Sequence, residues 1–283
     1  MSENSDASFE MALPAAYRPS VEATGLKRSD SLVRARLGGI QTARVTRSQL
    51  ADIMLEDVQS ARAGLLRLPR VIVASNGSVI ARYHSDPQFR ALIDAADLVD
   101  PDGMPLVLAS RLLWKRPLTE RVATTDFIHD ACRVAVEQGL RFYFLGARPG
   151  VADRAADRLR ALHPGVQIVG SRHGYFGADE EEEICATVRS SGADVLWLGL
   201  GSPAQESFAI RRRASLAGLG WIRTCGGMFD HYTGLVPRAP QWMQNAGLEW
   251  LHRSMLEPAR LGVRYLKTNP AAVWHLLTKS YER

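Results

Sequence analysis

Arg141-Phe142-Tyr143-Phe144-Leu145-Gly146-Ala147-Arg148-Pro149-Gly150 is the stretch that decides the fold. Its first five residues form an aromatic, apolar run bounded by a glycine, which reads as a short buried strand. Gly146 ends the run, and Pro149-Gly150 opens a helical stretch that continues through Leu162. A strand, a glycine turn and a helix make the first half of a βαβ unit.

The same unit recurs on both sides. Upstream, Ser48 reads as the N-cap of a helix carrying Ile53, Met54, Val58, Ala61 and Leu65, closed by Pro69. Val71–Ser75 is the first strand and Asn76-Gly77 breaks it. One helix follows through Phe89, Leu92 and Ile93, then a short strand at Leu98–Val99 running into Pro101-Asp102-Gly103. Further helices cover Leu106–Leu113 and about Thr125 to Gln138. Downstream, Val166–Val169, Val195–Leu198 and Trp221–Thr224 read as strands, separated by helices over Glu180–Arg189 and from Gln205. This alternation predicts an α/β fold, a mainly parallel Rossmann-like sheet sandwiched by helices.

Three regions follow. Residues 1–46 mix Ser, Arg, Ala and Gly without periodicity and are expected to be a mobile leader. Residues 47–235 form the α/β catalytic domain. Residues 236–283 show only helical patterning and are expected to form a C-terminal helical appendage carrying the basic residues.

Composition narrows the classes. The chain has 283 residues, 46% hydrophobic and 23% charged, which excludes collagen-like and wholly disordered proteins. Cys132, Cys185 and Cys225 are too far apart for a CxxC site or a disulfide framework, so a reducing, cytoplasmic setting is expected. No run approaches the ~18 apolar residues of a membrane span, and the first twenty residues lack a signal-peptide pattern. The net charge is +5, and residues 236–283 hold seven Lys/Arg against three acids together with three of the six Trp. A basic, aromatic-rich end points to an anionic partner.

Ligands of open α/β sheets sit beyond the carboxyl ends of the strands. Asn76 follows the first strand, where it either forms a plain turn or lines the cleft. Asp102 either caps the next helix or acts as a general base, with Asp97 and Asp100 as neighbours that sequence alone does not rank. Gly146 begins a turn whose backbone N–H groups suit a phosphate, although GxGxxG and the P-loop Lys-Ser/Thr are both missing. Gly199-Leu200-Gly201-Ser202-Pro203-Ala204-Gln205-Glu206 allows close backbone approach at Gly201 and offers Gln205 and Glu206 to a ribose or sugar. In Gly226-Gly227-Met228-Phe229-Asp230, Gly227 repeats that logic and Asp230 either orients a ligand or caps a turn. His231 has no His or Cys at i+3 or i+4, and the chain is expected to carry no Asp-x-Asp metal motif, so no metal is expected. Arg238, Arg253, Arg260 and Arg264 either form surface ion pairs, such as Glu249–Arg253 and Glu257–Arg260, or gather around a diphosphate.

Asn76, Pro101-Asp102-Gly103, Gly174-Tyr175-Phe176, Gly199-x-Gly201-x-Pro203-x-Gln205-Glu206, Gly226-Gly227-x-Phe229-Asp230, Arg238-Ala239-Pro240, Glu249-Trp250 and Glu257-Pro258-x-Arg260 occur in that order. In this the chain resembles the WecG/TagA/CpsF family of bacterial glycosyltransferases (glycosyltransferase family 26) over about Ser48 to Tyr265. It is similar in its leader and Asn-Gly pair to the exopolysaccharide members, including a xanthan-type glucosyltransferase. The resemblance implies a metal-independent, inverting transfer without a cofactor. The donor would be a UDP-sugar of the UDP-glucose or UDP-N-acetylmannosamine type. The acceptor would be a polyprenyl-diphosphate-linked saccharide at the inner face of the cell membrane, in exopolysaccharide, capsule or cell-wall polymer synthesis. By position, Asp102 is the base, Asn76 lies in the cleft, Gln205 and Glu206 bind the nucleotide-sugar, and the appendage arginines close over the diphosphate.

Three positions depart from the family pattern. Ala74 stands where Thr is common, Ala204 where Lys is usual, and Thr124 where a Gly commonly precedes the Thr125-Asp126 pair. Two other classes compete. A dinucleotide oxidoreductase would need GxGxxG after the first strand. A non-catalytic protein binding anionic ligand or membrane on a Rossmann-like fold would keep all its activity in Asp102→Asn. Expected partners are the UDP-sugar, the lipid-linked acceptor and an anionic membrane surface, with no nucleic acid; a homo-oligomer is left open.

Overall fold

A computed structural model describes residues 32–234, 237–258 and 262–282. In chain order the elements are β1 (Arg34–Leu37), β2 (Ile40–Ala43), α1 (Arg47–Arg62), β3 (Arg70–Ser75), α2 (Gly77–Ser85), α3 (Pro87–Asp94), β4 (Leu98–Pro101), α4 (Met104–Leu113) and α5 (Thr124–Gln138). They continue with β5 (Arg141–Gly146), α6 (Val151–Leu162), β6 (Gln167–Arg172), α7 (Glu181–Ser190), β7 (Val195–Gly199), α8 (Ala204–Arg212), β8 (Trp221–Thr224) and α9 (Met228–Tyr232). The last three are α10 (Gln241–Asn245), α11 (Glu249–Leu256) and α12 (Val263–Thr278).

Strands β3 to β8 form one six-stranded sheet in the order β4-β3-β8-β7-β5-β6, and every pair is parallel. Both faces are buried, as a parallel sheet requires. Along β5, Phe142 and Phe144 join an apolar cluster with α1, α5 and α6, while Tyr143 and Leu145 join a second cluster with α2, α3, α4, α7 and α8. Trp197 and Trp221 pack against Phe127 from neighbouring strands at centroid distances of 5.9 and 6.4 Å. The predicted Rossmann-like sheet between helices is the observed architecture.

Three expectations change. The part of the leader that is described is ordered: β1 and β2 form an antiparallel hairpin around Gly38-Gly39, with Ala35, Leu37, Ile40 and Ala43 buried. Both glycines have positive φ, as a two-residue hairpin turn requires. Residues 1–31 of the leader lie outside the described residues. The N-cap of α1 is Thr46, two residues before Ser48, because Thr46 and Gln49 form a reciprocal capping box. The single helix through Phe89 and Ile93 is two, since Asp86 accepts from the N–H groups of Gln88 and Phe89 and Pro87 starts α3. The expected C-terminal helical appendage is present: α12 packs along α2, buries Ala272 and Leu276, and leads to Tyr281, which exchanges backbone hydrogen bonds with Arg36 of β1.

Candidate active site

Chain direction changes at the centre of the sheet. From β5 the connection runs outward to β6, whereas from β7 it returns to β8. The β5–β7 junction is therefore where a crevice opens beyond the strand ends, and glycine-bearing turns crowd it. Gly146 and Gly199 are register partners, and Gly146 has φ 147. A Cβ on Gly146 would overlap the Gly199 backbone, and one on Gly199 would lie 2.9 Å from the Gly226 carbonyl oxygen. Ala147 donates its N–H to the Gly199 carbonyl at 3.0 Å and accepts from Gly174 at 2.9 Å. Four loops thus meet backbone to backbone, leaving a floor of main-chain polar groups suited to phosphate and ribose oxygens.

At the other end of the site the three aspartates separate cleanly. Asp97 sits at the start of β4, accepting from the Val71 N–H at 2.7 Å and pairing with Arg213 at 2.9 Å, far from the cleft. Asp100 is wholly buried and is gripped by both arms of the Arg223 guanidinium, with Nη2 at 3.0 Å from Oδ2. Asp102 stands at the mouth, half-buried, its N–H bonded to the Ser75 carbonyl at 2.8 Å. Burial raises its carboxyl to about 6; Asp100 and Glu249 push the same way, while Arg121 and Arg223 oppose them. A carboxylate that titrates near 6 is mostly ionised at neutral pH yet basic enough to take a proton.

The expectation that the chain carries no Asp-x-Asp pair is corrected here, because Asp100-Pro101-Asp102 has that spacing. The two carboxylates nevertheless differ: Asp100 is filled by Arg223, and among the described residues no group of three or more His, Cys, Asp or Glu is placed to hold a metal.

Arg121, Arg238, Asp126, Gln244 and Glu249 join the appendage to this end. Arg121 donates to Glu249 at 2.7 Å, to Gln244 at 3.1 Å and to Asp126 at 3.2 Å. Arg238 bonds the other Asp126 oxygen and reaches Gln244 at 2.8 Å. Burial disfavours the ionised Asp126, but the Arg238 hydrogen bond and the charges of Arg238, Arg121 and Arg47 hold it below the usual carboxylate range. The expected Glu249–Arg253 pairing is thus replaced by Glu249–Arg121. A Cβ on Gly247, between α10 and α11, would touch Met104, Pro105 and Leu108 at 3.6–3.8 Å. The appendage therefore lies over the turn that carries Asp102.

The remaining candidates fall into three groups. Asn76 caps α2, its Oδ1 accepting from Ser78 and Val79 at 3.1 and 3.2 Å, and it borders Asp102 through Gly103, whose Cβ position is 3.5 Å from the Asn76 Cβ. Gln205 and Glu206 are buried: Gln205 accepts from the Gly226 N–H at 3.0 Å and donates to Glu206 at 2.8 Å. They clamp the β7 and β8 loops together, with Gly201 (φ 77) turning the chain into α8, and one buried Glu206 oxygen has no hydrogen-bond partner among the described residues. Burial pushes that carboxyl upward, against the Gln205 hydrogen bond. In the last group, Asp230 Oδ2 and Arg253 Nη2 flank Gly227, 3.4 and 3.9 Å from its Cβ position. Arg264 stacks on Tyr265 at 4.9 Å on the exposed side of α12, away from these contacts. Arg260 lies outside the described residues.

Sequence reasoning missed Arg121 and Arg223 as members of the site. A readable signal existed for Arg223, since a charge inside the strand Trp221-Ile222-Arg223-Thr224 demands a buried partner; Arg121 carried no local mark. Against this geometry, a protein-family model described as the glycosyl transferase WecG/TagA/CpsF family matches residues 35–283. The match spans the β1–β2 hairpin, the sheet and α12, so the chain belongs to the WecG/TagA/CpsF family of glycosyltransferases, enzymes that move a sugar from a nucleotide-sugar donor to a membrane-linked polymer precursor.

Proposed function

We propose that the protein is an inverting hexosyltransferase that takes a sugar from a UDP-sugar and adds it to a polyprenyl-diphosphate-linked saccharide in exopolysaccharide, capsule or cell-wall polymer synthesis. The observation that carries this is Asp102, a desolvated carboxylate with its titration raised to about 6, at the strand-end cleft beside the glycine floor. Asp102 takes the proton from the acceptor hydroxyl, conventionally at C4. The hydroxyl oxygen attacks the anomeric carbon as the bond to UDP breaks, and the electron pair leaves on the UDP phosphate. One displacement from the opposite face inverts the anomeric centre.

The main-chain floor at Gly146, Gly199 and Gly227 receives the donor diphosphate, and Arg253 beside Gly227 supplies positive charge as UDP departs. Gln205 and Glu206 shape this pocket from below. Arg121 and Arg238 hold the appendage over the acceptor side, and the exposed Arg264 belongs to its membrane-facing part. Trp242 and Trp274 are each 65% exposed and Leu266 is 76% exposed; with the basic excess of residues 236–283 they suit peripheral docking on the inner face of an anionic membrane. No described helix is long and apolar enough to cross one.

The test is a panel of UDP-sugars, including UDP-glucose and UDP-N-acetylmannosamine, offered with short-chain polyprenyl-diphosphoryl-glucose and its N-acetylglucosamine counterpart in EDTA. Transfer from one donor, lost in Asp102→Asn, supports the proposal. Transfer that persists in Asp102→Asn, or that requires an added divalent cation, overturns it.

A further inference from the structure

Thr124 opens α5 with its side chain buried between β4 and β8. Its Oγ1 lies 3.1 Å from Arg223 Nη2 and 3.2 Å from Asp102 Oδ2. A guanidinium has only donors to offer and a hydroxyl has one proton. Oγ1 therefore accepts from Arg223, and its own proton points to Asp102 Oδ2. The same Nη2 donates to Asp100 Oδ2 at 3.0 Å, and Nη1 completes the fork on Oδ1. A chain of charge-assisted bonds thus runs from a fully buried ion pair to the carboxylate at the cleft. Asp102 Oδ1 has no hydrogen bond to any described residue.

Resting on the reading of Asp102 as the base, we propose that Thr124 is a positioning residue that fixes Asp102 through Oδ2, presents Oδ1 to the acceptor hydroxyl, and sets the pH range in which the base works. A hydrogen bond donated to a carboxylate stabilises its ionised form. Burial and the charges of Asp100 on β4 and Glu249 on α11 push the Asp102 carboxyl up, while Arg121 before α5 and Arg223 on β8 oppose them; the proton of Thr124 Oγ1, 3.2 Å from Oδ2, acts on the same side as the two arginines. Without the hydroxyl, the carboxylate would ionise at higher pH. It would also be free to rotate, which slows proton transfer without weakening donor binding.

Thr124→Val removes the hydroxyl at nearly constant volume, Thr124→Ala removes it with less crowding, and Thr124→Ser keeps it. The pH dependence of kcat and KM is measured with the donor and acceptor that turn over in the panel above. The Asp102 carboxyl is titrated by carbon-13 NMR, its resonance assigned by its loss in Asp102→Asn. The valine or alanine variant should lose about tenfold in kcat near neutral pH, its acid limb and the Asp102 titration moving up by about one pH unit. KM for the UDP-sugar should stay within about twofold, and serine should restore both readouts.

Folded Thr124→Val and Thr124→Ala with unchanged kcat and unchanged Asp102 titration, beside an inactive Asp102→Asn, would discard the role of Thr124 and leave the base standing. Full activity in Asp102→Asn would remove the base and, with it, this proposal. If the valine variant does not fold, the alanine variant is read by the same two criteria.

Discussion

Gly146 and Gly199 face each other across β5 and β7 with no room between them: a Cβ on Gly146 would sit 2.7 Å from the Gly199 Cα and closer still to its carbonyl. Gly146 also holds φ 147, a conformation that side chains rarely adopt. Gly146→Ala should therefore displace the loop that floors the proposed donor pocket, at a cost of about 1–3 kcal/mol. Calorimetric titration with UDP should show at least tenfold weaker binding, and thermal melting a lower Tm. Unchanged affinity for UDP would place the nucleotide elsewhere.

Asp102→Asn should lower kcat by about 100-fold or more while making the fold more stable. The sign follows from its raised titration: the native state disfavours ionised Asp102 relative to the unfolded chain, so at neutral pH the charge is a cost that asparagine removes. Differential scanning calorimetry at pH 7.5 should show Tm rising by a few degrees, on the order of 2–5 °C. A lower Tm would contradict the desolvated state of the carboxylate.

The pH–rate profile should rise through about 6 and level off above it, because the base must be ionised to act. That limb belongs to kcat/KM with donor well below saturation, which reports the free enzyme. A limb near 4 would point to an ordinary, solvated carboxylate.

Arg223→Met should destabilise the protein by about 3–5 kcal/mol, since Asp100 is then buried without its partner. Pairing it with Asp100→Leu should recover most of the loss in urea unfolding. Failure of the double variant to recover would show that Arg223 acts through Thr124 and Phe127 packing rather than through the ion pair.

Membrane docking is better probed by point substitution than by deleting residues 236–283, because Leu276 sits in the core and Tyr281 pairs with Arg36. Trp242→Ser, Leu266→Ser and Trp274→Ser together should cut sedimentation with phosphatidylglycerol vesicles severalfold and leave UDP binding unchanged. Equal sedimentation would remove this face from the docking surface.

Much of the fold is legible because the strands announce themselves. Val71–Ser75, Arg141–Leu145 and Trp221–Thr224 are short runs rich in β-branched and aromatic residues, and all three lie within observed strands. The β1–β2 hairpin was readable in principle: Ala35 and Leu37 alternate with Arg34 and Arg36 before Gly38-Gly39, but the surrounding Ser, Arg and Gly masked the period. Motifs after each strand locate Asp102, Gln205 and Gly227 without saying what touches them. Asp100 and Arg223 are 123 positions apart, and only strand order, which no local pattern encodes, brings them together. Two departures from the family pattern meet there: Ala74 is the register partner of Asp100, and Thr124 accepts from Arg223.

The pairing of Arg36 with Tyr281 has a temporal side. The β1–β2 hairpin lacks a neighbour for the Arg36 edge until residues about 240 positions later have been synthesised, and α2 lacks the helix that packs along it. Contacts of such long sequence separation form late and slowly. The glycine floor beyond β5, β7 and β8, the proposed nucleotide site, can assemble while translation continues; the proposed acceptor side, roofed by the last helices, cannot. A nascent chain would thus acquire a donor site before it could use it, and chains stopped short of α12 would carry an exposed strand edge that marks them for aggregation or disposal.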